Sequence, residues 1–295
     1  MSIDKIHEIL NKETLLGNFE NQSAEWYELR NRPGVISGSE IGTILGLSPW
    51  TSAFTLWAEK TGRIERSVTP NTAMRLGTLV EPAIRQLYIE THPEHTVVEV
   101  GTYASVHHDW MHANPDAICL DENDEGYVLE IKHTATYWDS IPEHYKAQVY
   151  WYMYVFELKK AVFAVVNAGR YKEYELLWDD FEFAAILQQV TKFRRHVLDD
   201  FQPDWEGSES TYETVRQLSP GVESRDEELG TLGVELMNAQ TDFDKAETHL
   251  REMKSRVITA LNGAKNGCID GEVVVTLSQR SGSSPYLTIK KAKQL

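Results

Sequence analysis

The chain has 295 residues, 41% of them hydrophobic, with 45 acidic against 29 basic side chains and a net charge of −16. Its two cysteines, Cys119 and Cys268, exclude a disulfide framework and a four-cysteine iron–sulfur or zinc centre. No apolar run reaches the roughly 20 residues of a membrane helix, and Met1 to Glu13 mixes both signs of charge, unlike a signal peptide. The expectation is a soluble, cytoplasmic protein in a reducing compartment. The acidic balance argues against a protein that coats DNA non-specifically, though not against one with a local basic surface.

Residues 1–22 read as a short helix and a loop. The segment from Trp26 reads as a helix that stops before Pro33. Ser37-Gly38-Ser39-Glu40 ahead of Ile41, Ile44 and Leu45 is a helix start with polar caps. A further helix is expected from Ser52 to about Thr61, and a longer one from about Asn71 to Thr91, with a kink or break near Glu81 because Pro82 sits inside it. Thr96 to Tyr103 reads as one strand and Met111 to Ala113 as a short second. Ala117 to Leu120 and Tyr127 to Lys132 read as a hairpin around Asp121 to Gly126.

Glu143 to Glu157 is apolar nearly all round, which predicts a buried helix. Lys160 to Asn167 and Arg170 to Leu177 form a strand pair, and Phe181 to Leu198 an amphipathic helix. This order predicts an α/β or α+β fold with a mixed central sheet flanked by helices. At Gln202-Pro203-Asp204 and Glu206 to Ser210 the composition turns to linker residues, which sets a boundary between 1–205 and 206–295.

Beyond the linker, Leu229, Leu232, Leu236, Ala239, Phe243, Ala246, Leu250, Met253 and Val257 repeat with 3-4 spacing. That is one long helix with a coiled-coil-like seam, read as packing on Tyr212 to Leu218, the core or another subunit. The chain closes with an expected hairpin, Val273 to Leu277 and Tyr286 to Lys290. From Val273 onward there is no acid, while Arg280, Lys290, Lys291 and Lys293 are present, a candidate contact for a DNA backbone.

The chemistry concentrates on Asn114-Pro115-Asp116 and Glu130-Ile131-Lys132. Alternation along a strand puts Glu130 and Lys132 on one face, and the hairpin brings Asp116 opposite Glu130. Two acids and an ammonium in one patch are costly unless a cation sits between the acids. Mg²⁺, or Mn²⁺ in its place, needs few carboxylates. Asp116 and Glu130 supply two, the Ile131 carbonyl a third ligand, and Glu81 on the preceding helix a fourth. Lys132 would orient the attacking water or neutralise phosphate charge. Gln148 on the following helix would hold the water or the main-chain edge, and Tyr145 shares its face. Arg30 and Arg32 read first as helix-end cations and Ser39 as a cap. His107, His108 and His112 fall on different faces and do not read as a zinc site.

Trp26-Tyr27-Glu28-Leu29-Arg30, Gly34 to Ile41, Gly77-Thr78-Leu79-Val80-Glu81, Asn114-Pro115-Asp116, Glu130-Ile131-Lys132, and Pro142 with Tyr145 and Gln148 occur in one order and spacing. Over residues 24 to 204 the chain resembles the lambda-exonuclease or YqaJ-type viral recombinase branch of the PD-(D/E)XK nucleases. The resemblance implies a restriction-endonuclease-like core over 1–205 and a metal-dependent 5′-to-3′ exonuclease on linear double-stranded DNA that leaves a 3′ strand for annealing. It implies catalytic positions at Glu81, Asp116, Glu130 and Lys132, support from Gln148, and a 5′-phosphate held by Ser39 with either Arg30 or Arg32. It also implies a homo-oligomer, a trimeric ring around DNA, and a single-strand annealing protein as partner. The sequence departs from the family in having Ala117 where Gly usually follows the Asp. An endonuclease or repair nuclease of the same fold, and a non-catalytic DNA-end-binding module, are the rival readings.

Overall fold

The computed structural model describes residues 2–10, 14–19, 23–65 and 71–290; Lys291 and Lys293 of the basic tail lie outside them. The chain divides into a unit over 1–220 and a unit over 221–295. In chain order the first unit contains α1 (Ser2–Ile9), β1 (Leu15–Gly17), α2 (Ala24–Arg30), β2 (Ile36–Ser37), α3 (Gly38–Ile44), α4 (Ala53–Lys60), α5 (Thr72–Thr91), β3 (Thr96–Val98), β4 (Thr102–Ala104), β5 (Met111–Ala113), β6 (Ala117–Leu120), β7 (Gly126–Thr134), α6 (Glu143–Val155), β8 (Lys160–Asn167), β9 (Arg170–Leu177), α7 (Asp180–Leu198) and α8 (Glu209–Leu218). The second holds α9 (Thr231–Leu261), β10 (Asn266–Ile269), β11 (Glu272–Ser278) and β12 (Tyr286–Ile289).

The central sheet runs β3-β6-β7-β8-β9. Only its β7–β8 pair is parallel. A parallel pair needs a long crossover, and α6 is that crossover. Alternation along β6 and β7 sorts their side chains into two cores. Ile118, Leu120 and Val128 join α6 through Val149 and Trp151, with Phe163 of β8 in the same core. Cys119, Tyr127, Leu129 and Ile131 join α5 through Ile84 and Tyr88. The sheet is therefore covered on both faces, which is why β6 and most of β7 are buried on both.

Three expectations change. The single strand expected over Thr96 to Tyr103 is two strands in two sheets. β3 pairs with β6, whereas β4 leaves to pair with β1 and β5 in a second sheet of order β1-β4-β5-β2. Both pieces are short runs that hold good strand formers (Thr96-Val97-Val98 and Thr102-Tyr103), so the switch of partner is invisible in the pattern. Residues 15–17, expected as loop, supply the edge strand β1. The long helix α5 is unbroken at Pro82. Packing of Ile84 and Tyr88 on the sheet, and the Glu81–Arg85 pair that spans the proline, hold the turn where propensity alone would open it.

The boundary set at 205/206 by composition lies at 220/221 in the structure. The reason is α8. Thr55 Oγ1 of α4 donates to the Ser210 carbonyl at 3.0 Å and shares hydroxyl hydrogen bonds of 2.8 Å with Ser210 and Thr214. Thr211 and Thr214 are buried there, so α8 belongs to the first unit. Thr214→Val should lower the stability of the first unit by about 1–2 kcal/mol, because a buried hydroxyl partner is lost without loss of volume. Urea denaturation checks it, and an unchanged midpoint would put α8 outside the cooperative unit.

In the second unit, α9 starts at Thr231 after Gly230, so Leu229 precedes the helix and the seam within it begins at Leu232. Asn262, in the left-handed region at φ 43°, ends it. β10, not expected, adds to the expected hairpin to make the antiparallel sheet β10-β11-β12. Among the described residues no helix is long and apolar enough to cross a membrane.

Candidate active site

The β6–β7 register pairs Ala117 with Leu129 and Ile118 with Val128, so Asp116, one step before β6, falls opposite Glu130. The Ile131 N–H donates to Asp116 Oδ2 at 2.6 Å. A strand residue turns its N–H and C=O to the same edge. The Ile131 carbonyl therefore faces the Asp116 edge as well, where the sequence places a third oxygen ligand.

Glu130 is 2% exposed. Its Oε1 accepts from Lys132 Nζ at 2.5 Å and from Gln148 Nε2 at 2.9 Å. Its Oε2 is buried and has no hydrogen-bond partner among the described residues. Burial, and then the charge of Asp116, push the Glu130 carboxyl up to about 8. Burial also raises Asp116, against Lys132 and the Ile131 N–H, which lower it. Glu81, half-buried on α5, is raised by burial and by Asp116, against Arg85 and Lys132. For Lys132 burial pulls down, but Glu130 and Asp116 outweigh it and hold the ammonium protonated. Glu81, Asp116, Glu130 and Lys132 thus lie close enough for each charge to act on the others.

Supporting residues fix this geometry. Lys132 Nζ lies 5.0 Å from the centre of the Tyr145 ring, which packs at a tilt against Trp138 and His144. Gln148 contacts Glu130 directly and also donates to Tyr152 Oη at 2.9 Å, so its part is to hold a carboxylate. Arg85 reaches Glu81 at 2.7 Å and Glu99 at 2.5 Å.

Of the two candidate arginines, Arg30 is the one beside Ser39. Its Nη2 donates to Ser39 Oγ at 2.6 Å and its guanidinium lies 4.1 Å from the Trp26 ring centre. Arg32 is exposed. Beneath this pair lies a buried ion network that sequence reasoning missed. Lys60, 4% exposed, donates to the carbonyls of Arg30 at 2.9 Å and Val35 at 2.8 Å and pairs with Glu40 at 3.1 Å. Glu40 Oε2 accepts from the Ser37 N–H at 2.9 Å. An acid three residues after a serine cap was the available signal. Lys60 had none, since it follows an apolar stretch and reads as a helix-end cation.

α3 and α6 bring the two pockets together. A Cβ on Gly38 would meet Tyr152 Cε1 at 2.3 Å, and one on Gly42 would meet His144 Cβ at 2.8 Å. Only glycines at these two positions allow the helices this close. Tyr152 then stands between the centres: its ring lies against Gly38 beside Ser39, and its hydroxyl accepts from Gln148, which holds Glu130.

The three histidines set aside in the sequence stay apart from this centre. His107 pairs with Glu157 at 3.0 Å, His108 stacks on Tyr154, and buried His112 meets the Asp109 carbonyl. His133 is exposed. A different group, His92, Glu94 and His95, gathers potential ligand atoms within 4.8 Å at the C-terminal end of α5. There His92 is paired with Glu173 and His95 with Glu122.

A mixed sheet with an Asp opposite the Glu of a Glu-x-Lys strand, an acid from the preceding helix and a Gln from the crossover helix is the arrangement that the resemblance to PD-(D/E)XK nucleases implies. Residues 25–159 match the YqaJ-like viral recombinase domain. The protein YqaJ of Bacillus subtilis (strain 168) is 30% identical over 217 residues, which is 70% of this chain and 66% of that protein, just under two thirds of its length. The crystal structure of an alkaline exonuclease from Laribacter hongkongensis superposes with a TM-score of 0.50 at 21% identity, covering 67% of this chain and all of that one. The complex of that exonuclease with dAMP gives 0.50 at 20% identity, over 61% of this chain and 94% of that one. Over residues 25–159 the chain is similar to the YqaJ-like viral recombinase domain, and it has the fold of that alkaline exonuclease.

Proposed function

We propose that this protein is a metal-dependent 5′-to-3′ exonuclease that degrades one strand of linear double-stranded DNA and leaves a 3′ single strand for annealing. The observation that carries the reading is Glu130 Oε2: a buried carboxylate oxygen without a protein partner, beside two further acids. A cation is a group that would complete such an oxygen. The donor set is all oxygen (Asp116, Glu130, the Ile131 carbonyl and Glu81), which suits Mg²⁺ or Mn²⁺. A cation held there supplies Lewis-acid charge to the phosphate and lowers the pKa of bound water.

The chain's own groups do the rest. Lys132, protonated and anchored on Glu130, presents positive charge where it builds on the phosphate. Gln148 keeps Glu130 from rotating. Arg30 and Ser39 bind the terminal 5′-phosphate, and Tyr152 sets the spacing between that phosphate and the scissile one. A phosphate bound there fixes which strand end is cut. The partners that follow from this reading are double-stranded DNA ends, further copies of the chain in a ring-shaped trimer, and a single-strand annealing protein in the cytoplasm of a bacterial host.

The test compares 5′-phosphorylated linear duplex with a covalently closed circle, with Mg²⁺ or with chelator. Loss of the linear form alone, and only with metal, supports the proposal. Cleavage of the circle would make the protein an endonuclease, and no cleavage at all a DNA-end-binding module. Arg30→Ala should abolish most of the preference for 5′-phosphorylated over 5′-hydroxyl ends, a change of about 10- to 100-fold from loss of a charge-assisted contact. Initial rates on the two substrates measure it, and a retained preference removes Arg30 from the phosphate pocket.

A further inference from the structure

Among the described residues of its own unit little covers the seam of α9: no residue of this 31-residue helix is buried, only Val257 of the seam is half-buried, and Leu232, Leu236 and Phe243 are 63, 67 and 65% exposed. From Leu232 to Val257 the spacing stays strictly 3-4, over about 38 Å of helix. That is long enough for a two-stranded coil.

We infer that α9 pairs with α9 of a second copy of this chain, side by side and antiparallel. The side chains along the seam choose the orientation. Antiparallel pairing sets one helix's a positions against the other's d positions. With Phe243 opposite Ala246 of the second copy, Leu236 falls opposite Met253, Ala239 opposite Leu250 and Leu232 opposite Val257. Each small residue meets a large one, so every layer fills to a similar volume. A parallel, in-register pair sets Phe243 against Phe243 and Ala239 and Ala246 against themselves, which overpacks one layer and leaves voids in two.

The flanking charges choose the same orientation. In the antiparallel register Glu235 faces Arg256 and Asp242 faces His249, each twice by symmetry. In the parallel one Asp242 faces Glu247 and His249 faces Lys254, like against like or nearly so. The acids of α9 lie mostly in its first half and its cations mostly in its second, so only a head-to-tail pair brings opposite signs together. The inference does not depend on the nuclease reading, and neither falls with the other.

Cysteine cross-linking of the full chain tests it, in a Cys268→Ser background that removes the exposed native thiol. Ala239→Cys and Leu250→Cys are made separately and oxidised alone or mixed. In the antiparallel pair residue 239 lies opposite residue 250. Each introduced cysteine is about 16 Å along the coil from its own copy, beyond the roughly 7 Å reach of a disulfide. The expected result is a covalent dimer that forms from the mixture and hardly at all from either variant alone. Self-linking of each variant alone would mean a parallel pair, and no cross-link in any sample would mean that another surface covers the seam; either overturns the inference. A second readout uses charge. Glu235→Arg should weaken the cross-link between the two cysteine variants, and adding Arg256→Glu should restore it. Failure of the double exchange to restore it counts against the register. Oligomerisation through the first unit changes neither readout, since only residues of α9 are linked.

Discussion

Lys132→Ala is expected to lower the single-turnover rate of DNA degradation by about 10³-fold or more, with the protein still folded and still binding DNA. The magnitude follows from removing a preorganised positive charge at the reacting phosphate, which costs about 10²–10³, together with any part in proton transfer, worth about 10²–10⁴. The structure shows why this lysine is preorganised. Its Nζ is 2.5 Å from Glu130 Oε1, it lies over the Tyr145 ring, and two carboxylates hold it protonated. Lys132→Arg should restore little, because a planar guanidinium cannot take the place of a compact ammonium beside Glu130 and Tyr145. Asp116→Asn and Glu130→Gln should fall to a similar level, and the double variants should fall little further, since groups acting as one unit are not additive. Rates with 5′-phosphorylated duplex measure the effect, and circular dichroism confirms the fold. Activity of Lys132→Ala within tenfold of the parent would refute the assignment.

The second large effect is a pH dependence of metal binding. Glu130 without metal is pushed to about 8 by burial and by Asp116. Below that pH its carboxyl carries a proton that a cation must displace. Affinity for Mg²⁺ or Mn²⁺ should therefore rise about tenfold per pH unit from pH 6 to pH 8, roughly 100-fold in all, and level off above. The accompanying stability change has the opposite sign to that of an ordinary salt-bridged acid. A carboxyl raised from 4.5 to about 8 on folding binds its proton more tightly in the folded state. Its contribution is fully present below 4.5 and is lost as pH climbs through 8, at a cost on the order of a few kcal/mol. Added metal should reverse that loss. Calorimetric titration at about pH 6, 7 and 8, with urea denaturation alongside, checks both. Glu130→Gln should flatten the stability profile, and a metal affinity independent of pH would remove Glu130 from the donor set.

Much of this centre was legible before any coordinate. The hairpin could be placed because Ala117 to Leu120 and Tyr127 to Lys132 are apolar runs around an acidic turn, and the register follows from the turn. Strand alternation then put Glu130 and Lys132 on one face. Gln148 and Glu81 were legible as residues on neighbouring helices, but their contacts were not. Gln148 holds Glu130 and Tyr152, and Glu81 carries Arg85. Such pairings depend on how helices cross the sheet, which no local pattern encodes. The choice between Arg30 and Arg32 failed for the same reason. Arg30 ends α2 and Arg32 lies two residues beyond it, and only the burial of α2 over Lys60 and Glu40 turns Arg30 onto Ser39.

The heptad shows the same division from the other side. Its spacing determined a long helix with one apolar stripe, and its alternation of large and small residues carries the orientation argued for a pair. Whether the stripe is spent inside the chain was a question of volume and contact, and within its own unit the structure leaves it uncovered. By itself, then, the sequence determined most of the elements, the alternation of faces and the residue types that gather around Glu130, because these depend on residues a few positions apart. The tertiary structure alone decided that Thr96 to Tyr103 splits between two sheets, that α8 joins the first unit, that Gly38 and Gly42 let α6 close on α3, and that a buried oxygen of Glu130 is left without a protein partner. Each of these is set by which distant surfaces meet and what they exclude, and burial is a property of the assembled chain rather than of any segment of it.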